Sequence, residues 1–94
     1  MKTQLNSKSQ KLLALFTRPR IKILLALYHC YQDPCGYDLT QELKMKKNLL
    51  SYHLKFLLFQ NAVSQKRCGR FKKYYLDPNQ KEKTKKILKT LELI

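Results

Sequence analysis

The period of the hydrophobic pattern changes abruptly between residues 46 and 76, and this change constrains the fold more than any other feature. From residue 46 to 59 the apolar side chains recur at helical spacing. From residue 63 to 76 apolar and polar residues alternate as in two strands, with a break at Gly69. The pattern therefore predicts a helix followed directly by a hairpin, and both elements are rich in Lys and Arg.

Helices are also predicted on both sides of this pair. Residues 8–16 have helical spacing, and a second helix, with Thr17 as its N-cap, runs to about residue 29. Asp33 followed by Pro34 predicts the start of a third helix, because Asp caps well and Pro lacks the amide hydrogen that the first turn leaves unused. A last helix is predicted over residues 80–94.

The predicted order is four helices, two antiparallel strands and a final helix, which is a mostly α fold with a small β-hairpin (α+β). The chain has 94 residues, so we expect one domain over residues 1–94, near the lower limit for a self-sufficient core. Residues 1–7 are expected to be flexible. This order is typical of a winged helix-turn-helix, in which the hairpin is the wing.

Charge narrows the class of partner. The sequence has 20 Lys and Arg against 6 Asp and Glu, a formal charge of +14, and such self-repulsion favours a polyanionic partner. No apolar run approaches the ~20 residues needed to span a bilayer, and residues 1–10 do not resemble a signal peptide. Charge alone does not choose between nucleic acid and a membrane surface, and the basic last helix alone would suit a membrane surface. The basic helix followed directly by a basic hairpin favours double-stranded DNA, so we expect a cytoplasmic protein that binds DNA and no membrane.

The helix over residues 46–59 has two faces. Leucines form one stripe, while Asn48, Ser51, Tyr52 and Lys55 lie opposite at helical spacing. We expect the lysines to hold phosphates, the Asn and Ser to reach base edges, and the wing arginines to follow the minor groove. The predicted DNA-binding residues are Lys46, Lys47, Asn48, Ser51, Tyr52, Lys55, Lys66, Arg67, Arg70 and Lys72.

Four segments resemble the ArsR family of small winged-helix regulators. They are LFTRPRIKIL at residues 15–24, SYHLKFL at 51–57, NAV at 61–63 and GRFKKY at 69–74. The resemblance implies a symmetric dimer built from the first and last helices, with the recognition helices in successive major grooves. The interface residues that it implies are Leu12, Leu13, Phe16, Ile87, Leu88 and Leu91.

The chain departs from that family at the positions that bind metals. Metal-sensing members carry Cys-x-Cys-Asp-Leu on the third helix, and here CGYDL at residues 35–39 keeps only the first thiol. The last helix has no His for the second family site. We therefore expect no metal site and no cofactor. Lys46 also replaces the Ser or Thr that commonly caps the recognition helix.

Some residues can be interpreted either as packing residues or as functional residues. His53 is expected to be a buried histidine that bridges helices; Leu49 and Phe56, and Phe71 and Tyr74, are expected to be packing residues. Cys30 and Cys35 flank one loop, so a thiol-based redox switch is an open alternative, although the default is reduced thiols.

The sequence as a whole predicts a sequence-specific DNA-binding transcriptional regulator, a dimeric repressor without the usual family metal site. No Gly-rich phosphate loop or nucleophile–base signature is present, so we do not expect an enzyme. Two alternatives stay open beside the redox-sensing repressor: a DNA-coating protein without sequence preference, and a Z-form-binding domain, which Asn48 and Tyr52 resemble but the lack of Trp disfavours.

Overall fold

The computed structural model describes residues 17–30 and 32–94, and within them four helices and one antiparallel sheet. The predicted helix at residues 8–16 and the predicted flexible residues 1–7 lie outside the described residues, as do Leu12, Leu13 and Phe16. The elements, numbered in chain order, are α1 (Arg18–His29), α2 (Gly36–Leu43), α3 (Lys47–Phe59), β1 (Val63–Cys68), β2 (Phe71–Leu76) and α4 (Lys81–Thr90).

The start of α2 differs from the prediction. Its N-cap is Cys35, not Asp33, and the carboxylate of Asp38 accepts the backbone N–H of Cys35 at 3.1 Å. The Pro34 carbonyl instead accepts the N–H of Tyr74 at 2.9 Å, and Cys35 forms a β-bridge with Lys73. Residues 34 and 35 are therefore held in an extended conformation along β2, and the helix begins only after them.

The turn between α2 and α3 is short, as predicted. Lys44 ends α2 in the left-handed region (φ 51°), and Met45 donates its N–H to the Thr40 carbonyl at 3.1 Å. Lys46 is the extended N-cap of α3 and makes no side-chain capping bond. The two helices therefore form a helix-turn-helix in which α3 is the second, recognition helix.

The hairpin has two chemically different faces. Its register runs from the pair Val63 and Leu76 at the base to Cys68 and Phe71 at the tip, with the turn at Gly69 (φ 63°). Side chains alternate between the two faces of a strand. The face that carries the buried Val63 and Leu76 is called the core face, and the opposite one the outer face. The core face carries residues 63, 65, 67, 72, 74 and 76, and the outer face carries residues 64, 66, 68, 71, 73 and 75.

The core joins α1, α2 and α3 to the base of the hairpin. Among the apolar side chains of α1, Ile21 and Leu25 are only half-buried, whereas Ala26 is buried. The core cluster consists of Ile23, Leu24, Ala26, Leu27, Leu39, Leu50, Leu54, Leu57, Ala62, Val63 and Leu76. One leucine stripe of α3 is thus fixed against the body, so the opposite stripe must face outward.

We expect Leu57→Ala to destabilise the fold far more than Leu49→Ala, although both leucines lie in α3. Leu57 is 0% exposed and its truncation leaves a cavity, which costs about 2–5 kcal/mol of unfolding free energy. Leu49 is 46% exposed, so its loss should cost less than about 1 kcal/mol. Urea unfolding of both variants measures the difference, and equal losses would contradict the assigned orientation of α3.

Candidate nucleic-acid interface

The predicted polar face of α3 is exposed. Asn48, Ser51, Tyr52 and Lys55 all point away from the core, while the leucine stripe behind them is buried. Lys46 and Lys47 are also exposed at the N-terminus of the helix. This end has no acidic residue in its first turn, so its free N–H groups and two ammonium groups form a local positive site.

The wing adds cations beside this helix. Arg67 and Lys72 are directly opposite each other on the core face, but near the tip, where both are exposed. Arg70 is exposed in the turn between the strands. Three positive side chains therefore crowd the last few residues of the hairpin, and the described structure pairs none of them with a carboxylate.

Lys66 differs from the other predicted DNA-binding residues. It lies on the outer face of the wing, and its ammonium is 2.7 Å from the carboxylate of Asp33. The hydrogen bond with Asp33, and then its charge, raise the pKa of Lys66. A phosphate contact by Lys66 would have to share or replace this carboxylate.

Helix α2 also contributes to this surface, which the sequence pattern did not predict. Tyr37, Thr40 and Gln41 line a cleft of about 560 Å³, whose opposite wall includes Lys47 and Ser51 of α3. The three α2 residues are spaced i, i+3 and i+4, which is the signal that would have placed them on one face. Because α2 borders the polar face of α3, it is positioned to meet whatever that face binds.

A buried arginine supports α3 from behind. Arg20 in α1 is 7% exposed, and its Nε–H donates a hydrogen bond to Nδ1 of His53 at 3.2 Å. Its guanidinium carbon lies 3.6 Å from the centre of the Phe56 ring, close enough for a strong cation–π contact. The prediction that His53 bridges helices is confirmed; Arg20 was assigned no role from the sequence.

The packing predictions for the four flanking side chains divide evenly. Phe56 and Tyr74 are half-buried, and Tyr74 packs against the core, as predicted. The packing predictions for Leu49 and Phe71 are wrong. Leu49 lies beside, not on, the leucine stripe, and Phe71 is 59% exposed because it stands at the wing tip, beyond the body of the domain.

The cysteines are free, with Cys30 and Cys35 half-buried and Cys68 exposed. Burial, and then the nearby carboxylates of Glu42, Asp33 and Asp38, raise the pKa of Cys30. A raised pKa disfavours the reactive thiolate, so the surroundings of Cys30 oppose a redox role. Over residues 17–30 and 32–94, no group of three His, Cys, Asp or Glu side chains is arranged to hold a metal.

Helix α4 carries the described part of the implied dimer interface. Leu88 is fully buried within the single chain, so its packing is intramolecular. Ile87 is half-buried, while Leu91 and Leu93, which follow the last helical residue, are large apolar side chains left exposed. None of the helices in the described ranges has the length and apolar character required to cross a bilayer.

The fold and the exposed basic surface define a winged helix-turn-helix domain. The regulator HlyU from Vibrio vulnificus has a similar structure, with 26% identity, coverage of 90% of this chain and 88% of that one, and a TM-score of 0.72. NolR from Sinorhizobium fredii matches with 23% identity, coverage of 96% and 93%, and a TM-score of 0.73. A possible transcriptional regulator for arsenical resistance matches with 21% identity, coverage of 88% of each chain, and a TM-score of 0.69.

These structural neighbours are winged-helix regulators of the ArsR/SmtB kind, which confirms the resemblance predicted from the sequence. HlyU is described as a transcriptional regulator and the arsenical-resistance protein as a possible one, which agrees with the non-enzymatic function predicted for this chain. No model of a protein family and no curated protein sequence matches the chain.

Lowering the pH should destabilise the folded chain through His53. Burial, and to a lesser degree the charge of Arg20, hold the pKa of His53 below its ordinary value of 6.5. Between the two pKa values the unfolded chain binds a proton that the folded chain does not. The free energy of unfolding should therefore be highest above pH 6.5 and fall as the pH drops from there to the folded-state pKa.

Urea unfolding at several pH values measures this effect. His53→Asn retains an amide oxygen that can accept from Arg20 but does not titrate, so its stability should change less over the same range. His29→Asn, which replaces the exposed histidine, serves as the matched control and should follow the wild type. Parallel loss of stability in the wild type and His53→Asn would refute the role given to His53.

Proposed function

We propose that this protein is a sequence-specific double-stranded DNA-binding transcriptional regulator that acts as a homodimeric repressor without a metal cofactor. The observation that carries the proposal is the exposed face of α3, on which Asn48, Ser51, Tyr52 and Lys55 follow one another beside a basic wing. The kinds of regulator that share the fold support it.

The polar face of α3 has the chemistry of a major-groove reader. Asn pairs well with the hydrogen-bonding edge of adenine, and Ser can donate to or accept from several bases. Tyr52 is exposed beside them and presents a ring to a thymine methyl or a sugar. These groups would specify sequence, whereas Lys46, Lys47 and Lys55 would bind phosphates and fix the register of the helix on the duplex.

The neighbouring elements would extend this contact along the backbone. Tyr37, Thr40 and Gln41 of α2 border the same cleft as Lys47 and Ser51, and the first helix of a helix-turn-helix crosses the phosphate backbone. Arg67, Arg70 and Lys72 at the wing tip would follow the adjacent minor groove, where narrow A·T tracts attract Arg. The polar face of α3 would thereby have further backbone contacts on both sides, from α2 and from the wing.

A dimer is supported by the apolar side chains left exposed at the C-terminal end of α4. Leu91 and Leu93 are apolar side chains in contact with water. A short chain buries more of its apolar surface when it pairs with a second copy. Two-fold pairing would present two recognition helices to half-sites one helical turn apart. Occupation of such a site near a promoter would block transcription, which is the repressor activity that the family resemblance implies.

Single lysine and arginine substitutions should separate DNA contacts from solvated charge. The slope of log affinity against log salt should fall by about 0.9 for each lost phosphate contact, so Lys47→Ala and Lys72→Ala should each flatten it by roughly that amount. Lys66→Ala should flatten it less, because Asp33 already holds that ammonium. Lys85→Ala, an exposed lysine of α4, is the matched control. A wild-type slope near zero would rule out the proposed electrostatic contact.

Footprinting after selection of bound fragments from random DNA should give discrete, two-fold symmetric protected sites. Uniform protection of every fragment would instead support a DNA-coating protein. Affinity only for Z-form polymer would support a Z-form-binding domain.

Sedimentation should give twice the chain mass. Leu91→Glu should reduce both the dimer and the symmetric footprint, while Thr90→Glu next to it should reduce neither.

A further inference from the structure

Phe71 is a large aromatic side chain that the fold leaves without a packing role. It is the first residue of β2, paired with Cys68 at the tip of the wing, and it is 59% exposed. Tyr75, on the same outer face of β2 but nearer the base of the hairpin, is half-buried. The exposure of Phe71 therefore comes from its place at the tip and is not a general property of β2.

The charges around Phe71 restrict what it can meet. Arg70 and Lys72 are its chain neighbours, and Arg67 lies across the hairpin from Lys72; all three are exposed. A second copy of this chain that placed its own wing against Phe71 would bring these cations together in a protein that already carries +14. An aromatic ring surrounded by cations suits a polyanion that also offers apolar surface.

The two faces of the hairpin suit the minor groove of a duplex. The tip of the hairpin is five residues beyond the buried pair of Val63 and Leu76. At about 3.3 Å per residue the hairpin therefore reaches about 16 Å beyond that pair. Arg67 and Lys72 project from the core face, and Phe71 from the outer face. A hairpin tip in a groove has a wall on each side, so cations would meet phosphates on one side while the ring meets deoxyribose on the other.

We infer that Phe71 is a DNA-contacting residue that packs its ring against deoxyribose and base edges in the minor groove reached by the wing. The inference rests on the proposed function and adds an apolar contact to it. Apolar side chains, Phe among them, are common minor-groove contacts in other DNA-binding folds. The contact contributes to affinity without neutralising any phosphate, and this property distinguishes Phe71 from its basic neighbours.

The main test compares the salt dependence of Phe71→Ala with that of Arg70→Ala on the selected duplex. Phe71→Ala should bind about tenfold more weakly, as expected for one buried aromatic contact, with the wild-type slope of log affinity against log salt. Arg70→Ala should lose affinity and also flatten the slope by about 0.9. Phe71→Leu, which keeps part of the apolar surface, should lie between the wild type and Phe71→Ala.

Hydroxyl-radical footprinting locates the contact, because these radicals attack deoxyribose in the minor groove. Phe71→Ala should lose protection at the two outer edges of the site and keep it between them, where the two copies of α3 would bind their half-sites. The chain contains no Trp, so Phe71→Trp provides a single tryptophan per chain, at the wing tip, which can be excited selectively at wavelengths that the tyrosines barely absorb. Its emission should shift on addition of the duplex.

Three results would overturn the inference. One is a Phe71→Ala variant with wild-type affinity and wild-type edge protection. Another is unchanged emission of Phe71→Trp at saturating duplex, and the third is a change in oligomeric state in place of a change in affinity. Absence of any binding by the wild-type protein would instead overturn the proposed function, so the two failures are distinguishable.

Discussion

The contact of Arg20 with the back of α3 is the interaction on which the candidate interface depends. Leucine packing is non-directional, so the buried stripe of α3 fixes which side faces inward but leaves the helix free to rotate or slide slightly. The hydrogen bond from Arg20 to His53 and the stacking on Phe56 are directional. They tie α1 to two successive turns of α3 and so fix the angle at which its polar face is presented.

Placing Arg20 there has a cost that its surroundings offset. Burial of a cation is unfavourable unless hydrogen bonds and charge interactions replace water, and this chain already has an excess of positive charge. The neutral imidazole of His53 accepts from the guanidinium, and the face of Phe56 supplies the negative side of a quadrupole. This arrangement requires a neutral His53. A protonated Nδ1 would carry a hydrogen of its own and could not accept the hydrogen bond from Arg20.

The wing is attached to the same body by a different set of contacts. The segment before α2 supplies the Pro34 carbonyl to Tyr74, and the β-bridge of Cys35 with Lys73 follows directly. Asp33 adds the ion pair with Lys66 on the outer face. Each contact joins the loop between α1 and α2 to the hairpin, so the wing is held by the segment that follows α1, whereas the recognition helix is held by Arg20 of α1 itself. Contacts within the chain therefore set the placement of the wing and of the recognition helix.

The order of the described elements followed from the sequence because period and turn chemistry are local. Helical spacing over residues 46–59 and the break at Gly69 each act within a few residues, and both were predicted correctly. The start of α2 could not be found this way, because Pro34 and Cys35 are held extended by a strand forty residues later. Arg20 was missed for the same reason: its partner His53 is distant in sequence, and a lone Arg in a basic chain resembles any solvated cation.

The division of charge within the wing shows why net charge alone is a poor guide to a binding surface. Lys66 and Arg67 are adjacent in sequence and alike in sign, yet strand alternation sends one to Asp33 and the other to the open core face. The lysines of α4 are likewise exposed, but that helix packs mainly against α1. Such charges attract a duplex over distances comparable to the Debye length, about 8 Å at physiological salt, without specifying where it docks. On the proposed function, specific contact would require cations placed beside groups that read shape and sequence, and α3 with the wing tip is where the fold brings such groups together.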